Sequence, residues 1–262
     1  MKLDERIISQ AIIEKYYNKL KSAIDTDVIL VGAGPSNLVA SYYLSQAKLK
    51  AVIFESKLAP GGGVWGGGMM FNEVVVQKSC LPILDEIGVA YSHYQDEYYT
   101  TDSVHLASML IAKTTLLGTT IFNLVKVVDV MFREKKGKKL VCGAVIQYSP
   151  IEHLGLHVDP LAVHSKALVD GTGHPAEICG LVTKKLGIKI ASPTGSVPGE
   201  QSMYADLGEE TVVKNTTEVF QGLWVVGMAA NNVMATPRMG PVFGGMIQGG
   251  KFLADQLIKK LK

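Results

Sequence analysis

Two short polar clusters hold most of the side chains able to do chemistry in this 262-residue chain. The first is Glu152-His153-Leu154-Gly155-Leu156-His157-Val158-Asp159-Pro160, and the second is Asp170-Gly171-Thr172-Gly173-His174-Pro175. Carboxylate and imidazole together suit a divalent first-row metal such as iron, zinc or manganese. A lone loop histidine is more often a surface or hydrogen-bonded group, and that alternative stays open for each. His174 stands above the others because it follows the apolar run 167–170, and ligands of open α/β sheets collect at strand ends. Asp159 and His174 are separated by a presumptive strand, so one chain holds them far apart and a neighbouring subunit would complete a shared site. His164 reads as structural, and His93 and His105 read as helix-surface residues. A third cluster, residues 234–246, sets Arg238 in an apolar, glycine-rich loop. An unpaired guanidinium is costly there. Its partner is either a bound carboxylate or phosphate gripped by the planar fork, or an internal ion pair.

These groups need a frame, and residues 27–56 provide it. They read as a buried strand (28–31), a glycine turn (32–37), a helix (about 38–47) and a second buried strand (51–54), with Glu55 at its end. This is the order of a dinucleotide-binding βαβ unit. Gly32 makes the tight turn, Gly34 lets backbone approach a pyrophosphate, and the helix N-terminus offers unpaired N–H groups to that anion. Glu55 would accept hydrogen bonds from ribose hydroxyls and repel a 2′-phosphate. Asn37 stands where the third glycine of the fingerprint belongs.

Residues 1–24 predict a leading helical segment that packs across the sheet or against another subunit. The stretch 57–71 carries six glycines together with Trp65, Met69, Met70 and Phe71. That mixture favours a cofactor-contacting loop over a flexible linker. Residues 73–117 read as mainly helical, broken by aromatics. Strand-like runs follow at 120–124, 125–132 and 140–147, the last two joined across the basic turn 134–139. The run 222–227 resembles the late strand of glutathione-reductase-like flavoproteins, but Met228 replaces the acid that would hold a flavin ribityl chain. The expected fold is therefore α/β: a glutathione-reductase-like, Rossmann-type dinucleotide-binding fold as one domain over 1–262. A β-meander is inserted at about 120–148, and a final helix runs over 244–261. An occupant other than FAD fits better.

Composition narrows the function classes. Hydrophobic residues make up 47% and the net charge is +2, which suggests neither a nucleic-acid partner nor a disordered chain. The apolar runs are strand-length, short of the roughly 20 residues a membrane span needs. The charged amphipathic start is unlike a signal peptide, so a cytoplasmic protein is expected. Cys80, Cys142 and Cys179 form no CxxC pair and read as core residues.

The motifs GAGPSNL (32–38), FES (54–56), PGGGVWGGGMMFN (60–72), HVDP (157–160), TGHPAE (172–177) and ATPRMGPVFGGMIQGGK (235–251) together resemble the thiazole synthase family of thiamine biosynthesis. The resemblance spans essentially the whole chain. It implies an enzyme that converts NAD, as substrate, and glycine, with a sulfur source and Fe(II), into an adenylated thiazole carboxylate. Carried over position by position, Gly32, Gly34, Ser36, Glu55, Ser56 and Gly63 would contact NAD, Val127 would lie by the adenine and Met228 near the reacting end. Asp159 and His174 would ligate iron from adjacent protomers, Arg238 would hold the glycine carboxylate, and members assemble as homo-octamers.

One departure decides the sulfur chemistry. Eukaryotic members have a sulfur-donating cysteine two residues before the Asp-Pro, and this chain has His157. The chain thus resembles the archaeal, sulfide-using branch, and His157 becomes a candidate general acid–base beside the nucleotide. Rival readings are a flavin- or NAD-dependent oxidoreductase, a sugar-phosphate isomerase and a non-catalytic nucleotide sensor. A colourless purified protein argues against flavin, and nucleotide consumption argues against a sensor.

Overall fold

A computed structural model describes residues 2–135 and 137–262. Met1 of the leading segment and Lys136 of the expected basic turn lie outside the described residues, as does the side chain of His153. In chain order the elements are α1 (Glu5–Ala23), β1 (Asp25–Val31), α2 (Pro35–Gln46), β2 (Ala51–Glu55), β3 (Glu73–Gln77), α3 (Leu81–Ile87), β4 (Ser92–Gln95), β5 (Tyr98–Asp102), α4 (Ser103–Leu116), β6 (Thr120–Asn123), β7 (Val125–Lys135), β8 (Lys138–Tyr148), α5 (Ser149–His153), β9 (Leu161–Asp170), α6 (Glu177–Leu186), α7 (Ala205–Lys214), β10 (Thr217–Phe220), β11 (Leu223–Val225), α8 (Met228–Val233) and α9 (Gly244–Leu261).

The main sheet runs β10-β11-β9-β1-β2-β6. From β6 to β11 the neighbours are parallel, and β10 closes the edge antiparallel to β11. Such strands are buried on both faces and read as unbroken apolar runs. In β1, Val28 and Leu30 enter one core with α2, α4 and α9. Ile29 and Val31 enter the other, with the β7–β8 hairpin, α6 and α8. The chain leaves β1 for β2 on one side, and β9 pairs on the other. Strand order therefore reverses at β1, and a crevice opens beyond the C-terminal ends of these strands. This is the expected Rossmann-type α/β fold.

Beyond the βαβ unit, several elements depart from the sequence reading. Residues 73–102 are not mainly helical: β3, β5 and β4 form a separate antiparallel sheet. The β-branched run Val74-Val75-Val76 and the Tyr98–Thr101 stretch favour a half-buried pleated surface over a helix. His93 consequently sits on β4, its Nε2 at 3.0 Å from the Asp96 carbonyl, while His105 does lie on a helix, α4, and accepts the Ala90 N–H. The run at 120–124 joins the main sheet beside β2, so only β7 and β8 make the hairpin. The C-terminal half of α1 rests on that hairpin's root: Tyr16 Oη lies 2.6 Å from Tyr148 Oη, and its ring meets Phe122 edge-on. Ile7, Ile12 and Ile13 remain about two-thirds exposed. His164, on β9, is exposed and faces Asp25 at 3.5 Å.

Candidate active site

The crevice at the strand ends is a cleft of about 870 Å³, within the range of small-molecule sites. Its floor is the β1–α2 turn. Gly32 has φ +86, and a Cβ there would approach the Gly171 carbonyl to 2.8 Å, so the ends of β1 and β9 can meet only through glycine. Gly34 caps α2 without a side chain and Pro35 begins it, which leaves the next amides of the helix unpaired toward the cleft. Asn37, in place of the third glycine, is buried and donates from Nδ2 to Val31 O at 2.9 Å and Gly32 O at 2.8 Å. The substitution thus ties the turn together.

Glu55 is buried at the end of β2, where its Oε2 accepts the Ala33 N–H at 2.7 Å and its Oε1 the Lys57 N–H at 2.8 Å. Both oxygens retain further acceptor capacity. Ser36, Ser56, Gly63, Val127 and Met228 line the same cleft. Gly227 (φ +64) passes so close to Ser36 that a Cβ would lie 2.7 Å from its hydroxyl, which sets Met228 against the turn. From behind, α9 closes on α2 at Gly250, where a Cβ would meet Ser36 O at 2.3 Å.

At the other end of the cleft stand His174 and Arg238, both about half exposed. Glu200 joins them, a residue that sequence reasoning missed. Its Oε2 lies 2.6 Å from His174 Nδ1, and its Oε1 lies 3.8 Å from Arg238 Nε. Backbone pairing explains the meeting: Gln201 N–H donates to Thr236 O at 3.0 Å, and Tyr204 N–H to Arg238 O at 3.0 Å. The 235–238 loop is braced by Asn231, fully buried on α8, which donates to Gly208 O and Pro237 O. Neighbouring Asn232 donates to the His174 carbonyl. Arg238 is therefore paired internally, with its charge still open to solvent and ligand.

Asp170, the first residue of the second polar cluster, is a structural brace. It is fully buried, and it accepts from Thr172 and from the Cys179 N–H in the first turn of α6. Asp159 and His157 lie outside the cleft, on the exposed loop before β9. Asp159 edges a second cavity of about 210 Å³ with Tyr16, Tyr148 and Val158. The ten residues of β9, at roughly 3.3 Å each, separate Asp159 from His174 by about 30 Å. The two do not meet within one chain, and no cluster of three or more His, Cys, Asp or Glu occurs among the described residues. Each nonetheless suits a metal as a donor. His174 has Nδ1 engaged by a carboxylate, which leaves Nε2. No side-chain partner engages the Asp159 carboxylate among the described residues. No helix among the described residues is long and apolar enough to cross a membrane.

The chain is similar to the thiamine thiazole synthase of Methanococcoides burtonii (51% identity over the full length of both chains) and to that of Solidesulfovibrio magneticus (47%, again full length). The crystal structure of Thermovibrio ammonificans THI4 superposes with a TM-score of 0.98 at 46% identity, covering 99% of both chains. Residues 9–243 match the Thi4 family, the glycine turn, His174 and Arg238 among them. With a cleft of this geometry and likeness along its whole length, the chain belongs to the Thi4 family.

Proposed function

We propose that this protein is a thiamine thiazole synthase that turns NAD, glycine and free sulfide into ADP-5-ethyl-4-methylthiazole-2-carboxylate with release of nicotinamide, using iron(II). The observation that carries the reading is the single cleft joining a dinucleotide turn to a half-exposed arginine and a carboxylate-bound histidine. Full-length relatives named for this activity support the enzyme class.

The residues divide the work along the cleft. The turn from Gly32 to Ser36 receives the pyrophosphate on free amides of α2. Glu55, already fixed by two backbone donors, offers its remaining lone pairs to the adenosine ribose. Val127 provides an apolar wall for the adenine, while Met228 packs near the ribose that loses nicotinamide. Arg238 grips the glycine carboxylate through its fork as the amine condenses with the ketone of the opened sugar. His174, with Asp159 from a second chain, would hold iron(II), a Lewis acid and template to which soft sulfide readily binds. His157 shares the exposed loop of Asp159, which supports reading it as a group that moves protons in the partner's cleft. The homo-octamer expected of the family would supply that second chain, and the exposed isoleucines of α1 support such packing.

The reading is tested by anaerobic incubation of purified protein with NAD, glycine, iron(II) and sulfide, followed by mass spectrometry of the released nucleotide. The adenylated thiazole should form only in the complete mixture. Its formation without glycine or without metal, or conversion of NAD to NADH instead, would overturn the assignment.

A further inference from the structure

We infer that Glu200 is the positioning residue of the metal site, holding His174 with Nε2 free for the ion. The inference rests on the reading of His174 as a ligand. A carboxylate can only accept, so the 2.6 Å contact puts the proton on His174 Nδ1 and leaves the lone pair on Nε2. A histidine that ligates a metal through one nitrogen usually donates the other to such a group, which fixes the tautomer and the ring angle. Glu200 is equipped for that task. It is only one-fifth exposed, against about half for its partners His174 and Arg238. Its main chain is anchored by the pairing of Gln201 with Thr236 and Arg238, so the carboxylate is held in place independently of the histidine. Asn232 fixes the backbone of His174 by donating to its carbonyl. The residue is thereby held through its backbone carbonyl and through Nδ1, while its ring stays half open.

The bland alternative is a surface ion pair without consequence for metal. Three features oppose it: the short contact, the low exposure of the acid, and the second contact of the same carboxylate with Arg238. One acid touches both the expected metal ligand and the expected glycine anchor. Neither group reaches Glu200 through sequence proximity, since His174 and Arg238 lie on different loops, one after β9 and one after α8.

Cobalt(II) titration of the intact assembled protein, saturated with NAD and glycine and without sulfide, tests this by visible absorption. Glu200→Ala should weaken cobalt binding by about 10–100-fold, with NAD affinity by calorimetry unchanged within about two-fold. Glu200→Gln, whose amide oxygen still accepts from Nδ1, should hold cobalt within about three-fold of wild type, on the same principle. Glu200→Asp keeps the charge but falls one methylene short, and should lose affinity in the direction of Glu200→Ala; it decides the matter if the alanine variant does not fold. Cobalt affinity unchanged in the alanine and aspartate variants would overturn the role of Glu200 alone. Wild-type protein that takes up no cobalt would instead remove His174 as a ligand, and the positioning role with it.

Discussion

The amide of Asn37 fills the space that a side chain on Gly171 would need: a Cβ there would lie 2.2 Å from Asn37 Nδ2. The two residues form one device, in which the asparagine ties Val31 and Gly32 while the glycine makes room for it. Asn37→Ala strands two carbonyls and should cost about 1–3 kcal/mol. Gly171→Ala overpacks the same point and should cost a similar amount, about 1–3 kcal/mol. Because the alanine at 37 removes what the alanine at 171 strikes, the double variant should lose clearly less than the sum. Urea unfolding of the four proteins measures this. Additive losses would show that the two positions do not act together.

The position of Glu55 predicts a choice between NAD and NADP as substrate. Its carboxylate is buried at the end of β2 beside the cleft, where the 2′-phosphate of a nucleotide bound as proposed would meet negative charge. NAD should bind at least about ten-fold tighter than NADP by calorimetry, a gap of roughly 1.4 kcal/mol. Glu55→Gln should narrow that gap while leaving an acceptor for the Ala33 N–H. Equal affinity of the wild-type protein for NAD and NADP would count against the placement.

Asp159 and His174 lie at opposite ends of β9, which makes complementation a sharp test of site sharing. Asp159→Ala and His174→Ala should each abolish iron-dependent product formation and retain NAD binding. After subunit exchange, a mixture of the two should regain part of the activity, because some clefts then combine two intact residues. An equal mixture that stays inactive after confirmed exchange would argue that each chain needs both residues itself.

Glu209 gives the fold a pH dependence of its own. It is buried beneath the start of α9, where Oε2 accepts from Gln77 Nε2 at 2.6 Å and from the Gly245 N–H at 2.5 Å. Burial pushes its carboxyl above the ordinary 4.5, outweighing those two donors. A raised folded value means that its contribution is fully present below the unfolded value and is lost as pH rises through the folded one. Glu209→Gln stays neutral throughout, so its Tm relative to wild type should climb as pH rises above the ordinary 4.5 toward the raised folded value, by about 2–4 °C for each kcal/mol. A Tm difference that does not change with pH would contradict the buried-acid account.

The frame was largely legible because it is written in local terms. Apolar runs, the Gly32 turn and Glu55 follow one another within one βαβ unit, and each needs its residue type for a reason visible in sequence. The β3–β5–β4 sheet was not legible, since its strands are short and Val74–Val76 sits among residues that also suit helices. His93 was misplaced with it. Glu200 carried no signal at all: it lies in an irregular segment, 26 residues beyond His174, and its role arises from backbone pairing with 236–238. Asn231 and Asn232 read as ordinary helix residues, yet their amides brace the loops that carry Arg238 and His174. The separation of Asp159 from His174, by contrast, could be read directly from the strand between them.

The central claim concerns the source of sulfur. His157 stands where a protein donor would need cysteine, and Cys80, Cys142 and Cys179 are all buried, with the Cys80 thiol pushed up to about 12 by burial. Under the proposed function, sulfur would then come from solution. The most direct measurement is product per subunit in an anaerobic reaction with NAD, glycine, iron(II) and sulfide, paired with the intact mass of the protein before and after. The account predicts many products per subunit, an unchanged protein mass, and full dependence on added sulfide. Product capped at one per subunit, with a cysteine converted to dehydroalanine, would contradict it.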